Sequence, residues 1–246
     1  NNTMLVEVYC DRPSIIDEPD LLTMVKTKVV FDHHRQSSET IQGAVLSYCE
    51  PYASSASELI AEMMQYIREG IKAKPIEADC MYGGIVIDTR EFTNQTGVRT
   101  FEAAAYLRRC GADIIRIRKT FREDFIDYQA KADTISKADI YREYYAISTL
   151  ERAGTESPTV LCAKAANELL NIRGIKASIV LTKVEDTVFL SARSIDELNV
   201  QVLMEKLGGG GHRTVAGAQM KGFTIEECID KVRAAIDEMI EEGEVE

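Results

Sequence analysis

The chain of 246 residues is long enough for one large domain or two smaller ones, each with a hydrophobic core. Hydrophobic residues make up 45% of it and charged residues 28%, a composition typical of globular proteins. The formal net charge is −11 and no run of five basic residues occurs, which argues against a long nucleic acid as partner. A small anionic ligand is compatible with this charge, because a local pocket can be positive on an acidic protein.

The six cysteines are far apart and form no Cys-x-x-Cys pair. Most lie in apolar periodic segments, so we predict buried free thiols in a reducing, cytoplasmic compartment. No apolar stretch approaches the roughly 18–20 residues that span a bilayer, and we therefore predict no membrane segment in this chain.

In the first half, short apolar runs alternate with helical patterns. Residues 4–10 and 28–32 are predicted strands, and residues 53–70 and 99–113 are predicted helices. The stretch 76–89 is ambiguous between the two. Strand–helix alternation predicts a parallel sheet with functional loops at the carboxyl ends of the strands.

The starts of three helices are marked by capping residues. Ser55 and Glu58 stand at capping-box spacing, and so do Thr224 and Glu227. The pair 157–158, a serine followed by a proline, predicts another start.

The segment from about 114 to 143 is helical in pattern and heavily charged, and we predict that 121–143 is a helical linker. It would connect a parallel-sheet α/β domain of residues 1–120 to a smaller domain of residues 144–246. The second domain begins with the predicted strand 144–151. It continues with the runs "ASIVLTKVED" and "TVFLSARS", joined by a Glu-Asp turn, which predict a hairpin. We therefore expect an α/β fold in which the second domain has a mixed sheet.

Asp32, His33 and His34 follow an apolar run and hold two of the three histidines in the chain. Polar residues at a strand end commonly face water or cap a helix. Successive residues at such an end point in opposite directions, however, and imidazole beside a carboxylate is a common metal-binding arrangement. Asp32, His33 and His34 are therefore candidate catalytic residues.

Asp88 ends another apolar run, "IVIDTREF", and could be an N-cap or a helix end. In a domain that also presents His33, it becomes a candidate metal ligand. The two residues would form half of a carboxylate-rich site of the two-metal type.

The stretch "LGGGGHRTVAGAQ" (207–219) contains four consecutive glycines. Each costs roughly 0.5–1 kcal/mol relative to alanine in a regular element, so we predict neither helix nor strand there. The alternatives are a flexible linker and a backbone cradle whose free N–H groups bind an anion. The segment that follows lacks linker character, which favours the cradle, with His212 and Arg213 as further donors.

In residues 187–194, strand alternation places Phe189, Ser191 and Arg193 on one face, opposite Val188, Leu190 and Ala192. An arginine that ends a strand is usually a solvated edge residue. Beside a glycine cradle, Arg193 is a candidate contact for a phosphate or a base.

Several of these stretches resemble the DHH phosphoesterase superfamily with its DHH-associated C-terminal domain. They are "DHH" at 32–34, "DTREF" at 88–92 and "GGGGHRTVAGAQ" at 208–219. Three more are similar to cyclic-di-AMP phosphodiesterases of the GdpP type: "EPYASSASELI" at 50–60, "SARS" at 191–194 and "LNVQ" at 198–201. The resemblance implies two Mn²⁺ ions at the DHH domain, nucleotide binding by the glycine-rich domain, and hydrolysis of cyclic di-AMP to linear pApA.

The resemblance also implies roles for single residues. His33 and Asp88 would ligate metal, Asp32 would orient His33, and His34 would face the phosphate or support the site. Substrate contacts across a cleft between the domains are implied for Arg193, Ser194, Gly209, Gly210, Gly211, His212 and Arg213.

Two departures from the family pattern concern the metals. The first metal motif of the family belongs upstream of Asn1, so we expect a fragment that is inactive or impaired alone. An aspartate expected before the DHH triplet falls at Tyr9, a phenol with a pKa near 10 in water. Asp11 lies two residues on and is a candidate substitute.

Two other functions therefore stay open. One is a degenerate module that binds a cyclic dinucleotide without cleaving it, and the other is a nanoRNase-like hydrolase of short linear oligonucleotides. In each case the expected partner is a cyclic dinucleotide or a short oligonucleotide. A homodimer is left open, as is membrane anchoring of the full-length protein with this region on the cytoplasmic side.

Overall fold

The computed structural model describes residues 3–36, 39–67, 70–151, 157–195 and 198–243. The chain divides into two compact units, residues 1–122 and 123–246. Each unit has its own sheet, and together they form the mixed α/β architecture that the sequence predicts.

Besides a 3₁₀ helix at Pro13–Ile15, the described residues of the first unit form three strands and five α-helices. They are β1 (Met4–Val8), α1 (Leu21–Met24), β2 (Thr27–Asp32), β3 (Leu46–Cys49), α2 (Ala56–Ile67), α3 (Pro75–Asp88), α4 (Val98–Arg109) and α5 (Ile114–Thr120).

Strands β1, β2 and β3 form a parallel sheet in that order. Val8 pairs with Phe31, and Asp32 pairs with Cys49. The parallel sheet predicted for this half is therefore confirmed, and the chain leaves β1 and β2 at the same edge of it. Strand β3 is absent from the sequence prediction, because its sequence, "LSYC", is only four residues long and gives too short a pattern.

The ambiguous stretch 76–89 lies mostly in helix α3. Its two glycines lie within the helix, and each permits a close approach of a neighbouring side chain. A Cβ on Gly84 would lie 2.5 Å from Ser57 Oγ, and one on Gly83 would lie 3.2 Å from Phe121 Cζ. The core of this unit lies among α2, α3, α4 and α5, with Ile85 and Leu107 fully buried in it.

The capping of helix α2 differs in one respect from the predicted box. Ser55 Oγ accepts a hydrogen bond from the Glu58 amide at 3.0 Å, as predicted. The Glu58 carboxylate, however, turns to Ser54, whose hydroxyl donates to it at 2.6 Å. The reciprocal box at Thr224 and Glu227 is confirmed in both directions.

The described residues of the second unit form six strands and four α-helices. They are α6 (Phe125–Ser136), β4 (Asp139–Tyr141), β5 (Tyr145–Thr149), α7 (Pro158–Leu169), β6 (Ala177–Val184), β7 (Thr187–Ser194), α8 (Val200–Lys206), β8 (Gly210–His212), β9 (Val215–Lys221) and α9 (Ile225–Glu241).

The sheet of this unit has the strand order β4-β5-β6-β7-β9-β8. Strands β5 and β6 are parallel and the other neighbours antiparallel, so the predicted mixed sheet and the β6–β7 hairpin are confirmed. The segment 121–143, predicted as a linker, contains α6 and β4. Helix α6 contributes Ala130 to the core beside α7, and β4 pairs with β5, so most of this segment packs inside the second unit.

Helices cover the two faces of this sheet unequally. Helices α8 and α9 pack on the face that carries Ile179, Leu181 and Leu190. Helix α7 packs on the opposite face, against Val180. The part of that second face formed by β7, β9 and β8 is less covered, and it carries the pocket described below.

All six cysteines are free. Cys162 and Cys228 are buried as predicted, Cys80 is exposed, and the other three are half-buried, so the prediction of buried thiols holds for two of them. Along the described ranges, no helix combines the length and the apolar character that a bilayer crossing requires.

Candidate functional site

Asp32 is the last residue of β2, and its side chain is 1% exposed. Its Oδ1 accepts hydrogen bonds from the main-chain amides of His33 at 2.8 Å and His34 at 3.2 Å, and it lies 2.7 Å from His34 Nδ1. Such short-range bonds are what an aspartate makes where the chain turns out of a strand. Asp32 therefore orients the ring of His34, not that of His33 as the resemblance implied.

The ring of His33 is fixed in a different way. One ring nitrogen is hydrogen-bonded to the main chain at Ala53, while Nε2 is buried and has no hydrogen-bond partner among the described residues. Burial, followed by the neighbouring His34, lowers the pKa of His33 below its ordinary value of 6.5. A neutral imidazole held at one nitrogen, with the other available, is the usual posture of a metal ligand.

Asp88 lies beside that available nitrogen, with its Oδ2 3.7 Å from His33 Nε2. It is the last residue of helix α3, so it reaches the site from a helix and not from a strand. Burial raises the pKa of this carboxyl group. The structure thus brings together the two residues that the sequence paired as candidate metal ligands.

Tyr9, directly after β1, completes this cluster in the first unit. Its hydroxyl donates to Asp88 Oδ1 at 3.4 Å. Its ring centroid lies 5.4 Å from that of His33 and 4.9 Å from that of His34. Tyr9 therefore lies beside both His33 and Asp88, and the group that it contributes to this cluster is a phenol.

Asp11, the candidate substitute, is 2% exposed, and neither carboxylate oxygen has a hydrogen-bond partner among the described residues. Arg12 Nε lies 3.9 Å from Oδ1. Burial, and next the charge of Asp32, raise the pKa of Asp11. It is thus a buried carboxylate that has a long ion pair with Arg12 but lacks the hydrogen bonds such groups normally have.

A divalent metal ion usually takes several oxygen or nitrogen ligands from its protein. Within the described ranges, no three histidine, cysteine, aspartate or glutamate side chains lie close enough together to hold one. His33 and Asp88 fit a metal ion as two ligands, and Tyr9, as a neutral phenol, does not provide a third. The residues present therefore do not make a complete metal site.

The glycine run of the second unit is more regular than its composition predicts. The amides of Gly208 and Gly209 donate to the carbonyls of Glu205 and Met204 and close helix α8. Residues 210–212 form β8, the edge strand of the sheet, so the prediction of neither helix nor strand is wrong there. Some of the N–H groups expected to be free in a cradle are thus used by the fold.

Close packing against β9 leaves no room for a side chain at two of these glycine positions. A Cβ on Gly209 would lie 2.2 Å from the carbonyl oxygen of Gly217, and one on Gly211 would lie 2.6 Å from that of Val215. Gly211 also has a φ of +149°. Around Gly210, in contrast, a Cβ would meet nothing within 4 Å.

A pocket of about 540 Å³ opens on this side of the sheet. It is lined by Thr159 from the first turn of α7, by Phe189, Leu190 and Ser191 from β7, by Gly208, Gly209 and Gly210, and by Gly217, Ala218 and Gln219 from β9. The amino end of α7 adds a positive helix dipole near it, which favours an anion.

The register of the strands places several candidate residues on the face of this pocket. Ser191, Gly217 and Gly210 lie opposite one another across β7, β9 and β8. In the same way, Arg193 and His212 both lie opposite Val215. Because residues two apart in a strand share a face, Arg193 and His212 stand on the face that carries Ser191 and Gly210.

Ser194 and Arg213 are placed differently. Ser194 is on the opposite, buried face, and its hydroxyl lies 2.6 Å from the Leu198 carbonyl and 3.3 Å from that of Arg213, which are its two acceptors. Arg213 is in the turn between β8 and β9, and its carbonyl also accepts from the Val200 amide at 2.9 Å. Contacts within the fold thus already engage the Ser194 hydroxyl and the main chain of Arg213.

Four residues of the pocket are not among the binding residues predicted from the sequence: Phe189, Ser191, Thr159 and Gln219. Phe189 and Ser191 could have been found, because the alternation of β7 already placed them on the face of Arg193. Thr159 and Gln219 carried no local pattern, and it is the packing of α7 and β9 that brings them to the pocket.

Residues 3–85 match the family described as "DHH family, N-terminal domain", and residues 143–242 match the "DHHA1 domain". The chain is 43% identical, over 98% of its length, to the cyclic-di-AMP phosphodiesterase GdpP of Geobacillus thermodenitrificans. It is 40% identical, over 99% of its length, to the protein of that name from Bacillus subtilis. The chain spans 37% of the length of each of these two curated relatives.

Among solved structures, an exopolyphosphatase-related protein from Bacteroides fragilis superimposes with a TM-score of 0.83. The superposition covers 96% of this chain and 71% of that one, at 20% sequence identity, and so shows a shared fold. With matches to both of its domains along most of its length, the chain belongs to the DHH family and carries a DHHA1 domain.

Proposed function

We propose that this chain is the nucleotide-hydrolysing region of a protein that cleaves cyclic di-AMP to linear pApA. The relatives that are 40–43% identical over nearly the whole chain carry the name cyclic-di-AMP phosphodiesterase. The single structural observation that supports it most is the His33–Asp88 pair, at 3.7 Å, built from two separate motifs in the first unit. Because the chain spans 37% of these relatives, the proposal concerns the longer protein of which such a region is part.

The second unit would bind the nucleotide. Its pocket offers an aromatic ring from Phe189, on which a base can stack, and polar groups from Ser191 and Gln219. Arg193 and His212 stand on the same face, and their side chains suit the phosphates. Open space at Gly210 lets a ligand approach the main chain closely.

In the proposed reaction, water adds across one of the two phosphodiester bonds. Its oxygen bonds to phosphorus, the bond from phosphorus to one ribose oxygen breaks, and that ribose oxygen takes a proton. The family resemblance implies Mn²⁺ for this chemistry, and of the residues described here His33 and Asp88 are those that would contact it. The proposal places the region in the cytoplasm and leaves room for a homodimer.

A second candidate function is binding of a cyclic dinucleotide without cleavage. Tyr9 favours it, because a phenol bonded to Asp88 stands beside His33 in place of a further ligand. Hydrolysis of short linear oligonucleotides remains a third candidate, since the same pocket would accept them.

One experiment separates the three. Cyclic di-AMP and linear pApA are incubated with Mn²⁺ and with either the chain or its longer parent protein, and products are resolved by liquid chromatography. Isothermal calorimetry measures binding in parallel. The primary proposal expects cleavage of cyclic di-AMP by the parent protein and its loss in His33→Ala. Binding without turnover selects the second candidate, and faster cleavage of pApA than of cyclic di-AMP selects the third.

A matched pair at Gly210 tests the pocket. Gly210→Val places its Cβ in open space and is expected to weaken nucleotide binding about tenfold or more, as desolvated polar contacts are lost. Gly210→Ala adds one methyl group and serves as the milder control. Equal affinity of wild type and Gly210→Val would exclude this pocket.

A further inference from the structure

The main chain at Tyr9 has a conformation that tyrosine does not favour. Its φ is +76°, and its amide donates to the Phe31 carbonyl at 2.8 Å, which ties the residue to the end of β2. Residues other than glycine rarely adopt such a φ, and among them asparagine and aspartate do so most readily. The main chain at this position would therefore suit a short carboxylate or amide side chain better than the aromatic ring it carries.

The side chain of Tyr9 occupies the immediate surroundings of the candidate ligands. Its hydroxyl lies 3.4 Å from one oxygen of Asp88, whose other oxygen lies 3.7 Å from His33 Nε2. Its ring also packs edge-on against His34. Tyr9 thus caps the point at which His33 and Asp88 converge.

The candidate metal ligands beside Tyr9 are too few for a complete metal site. His33 and Asp88 provide two ligand atoms, and among the described residues no third histidine, cysteine, aspartate or glutamate joins them. The Tyr9 hydroxyl donates a hydrogen bond to Asp88 Oδ1 at 3.4 Å, and its phenol adds no carboxylate to the pair. As a donor it also competes with a cation for an oxygen of Asp88.

We infer that Tyr9 determines the metal affinity of this site: with tyrosine the His33–Asp88 pair holds a divalent cation weakly, and with aspartate in its place the pair holds one tightly. The proposed function enters here only in the choice of Mn²⁺ as the cation. Nucleotide binding by the second unit needs no metal in this inference, so chelation should leave it unchanged.

The test measures Mn²⁺ binding to the chain without nucleotide, by calorimetry and by the loss of the free Mn²⁺ signal in electron paramagnetic resonance. Tyr9→Asp is expected to bind about tenfold more tightly than wild type, at least as large an effect as outer-shell changes have on metal affinity. The gain should disappear in the double variant Tyr9→Asp/His33→Ala.

Two matched variants isolate the cause. Tyr9→Asn accepts the positive φ equally well but adds no charge, and Tyr9→Phe keeps the ring but removes the hydroxyl; neither should approach the affinity of Tyr9→Asp. Without metal, the new carboxylate of Tyr9→Asp repels Asp88, so its Tm in EDTA should lie below that of Tyr9→Asn. Added Mn²⁺ should then raise the Tm of Tyr9→Asp more than that of Tyr9→Asn.

Two results would overturn the inference. One is tight Mn²⁺ binding by the wild type that depends on His33, and the other is no gain in a Tyr9→Asp variant whose circular dichroism shows a native fold. Failure of the proposed hydrolysis would change neither measurement, because no nucleotide is present in them.

Discussion

His33 Nε2 and Asp88 Oδ2 lie 3.7 Å apart, although one residue follows a strand and the other ends a helix. The pair is held from both sides, by the main chain at Ala53 on His33 and by the Tyr9 hydroxyl on Asp88.

Stability should depend on pH through His33. Its pKa is lowered in the folded chain, so below its ordinary value of 6.5 the unfolded chain binds the proton first. The contribution of His33 to stability is therefore fully present above pH 6.5, and it is lost as the pH falls from there toward the folded pKa. Urea unfolding in EDTA should show that His33→Gln lacks this part of the decrease. A wild type whose dependence matches that of His33→Gln between pH 5 and 7 would contradict the assignment.

Asp11→Asn should stabilise the metal-free chain at neutral pH. The pKa of Asp11 is raised in the folded state, so its charge costs stability as pH rises above the ordinary value of 3.8. Removing a buried charge that has no hydrogen-bond partner among the described residues should contribute about 1 kcal/mol, or about 2–4 °C in Tm for a chain of this size. Differential scanning calorimetry at pH 7 and at pH 3 checks this, because the gain should vanish at the lower pH. A loss of stability at pH 7 would show that Asp11 has a favourable partner.

Ser194→Ala should lower the stability of the chain, whereas Ser191→Ala should lower its affinity for nucleotide. Ser194 is 4% exposed and its hydroxyl bonds main-chain carbonyls, so its loss should cost about 1–2 kcal/mol of unfolding free energy with little effect on nucleotide affinity. Ser191 lines the pocket, and its loss should weaken nucleotide binding with little effect on stability. Chemical denaturation and calorimetry on both variants measure the two quantities. A large loss of affinity in a folded Ser194→Ala variant would restore it as a direct substrate contact.

The glycine run should respond to alanine by position. At Gly209 and Gly211 the new Cβ would collide with the main chain of β9, which should cost about 1–3 kcal/mol. At Gly210 the space is open, and the change should stay within about 0.5 kcal/mol. Urea unfolding of the three variants gives the comparison. Equal losses of unfolding free energy at all three positions would mean that backbone entropy, and not contact with β9, determines the effect of alanine in this segment.

The sequence by itself determined the elements whose pattern is local. The alternation of β7, its hairpin with β6, and the capping box at Thr224 follow from period, turn and cap residues, and all three are present. The resemblance in the motifs also led to the DHH family, which the family matches confirm. These inferences succeed because each depends on residues that are neighbours along the chain.

The tertiary structure decided what depends on distant neighbours. Pairing with β9 makes a strand of Gly210–His212, although glycines disfavour one, and pairing with β5 makes a strand of β4 inside a charged, helix-like segment. The convergence of Tyr9 with Asp88 at the edge of the first sheet is another such outcome. Sequence spacing cannot give these contacts, because their geometry comes from packing between segments that lie far apart in the chain.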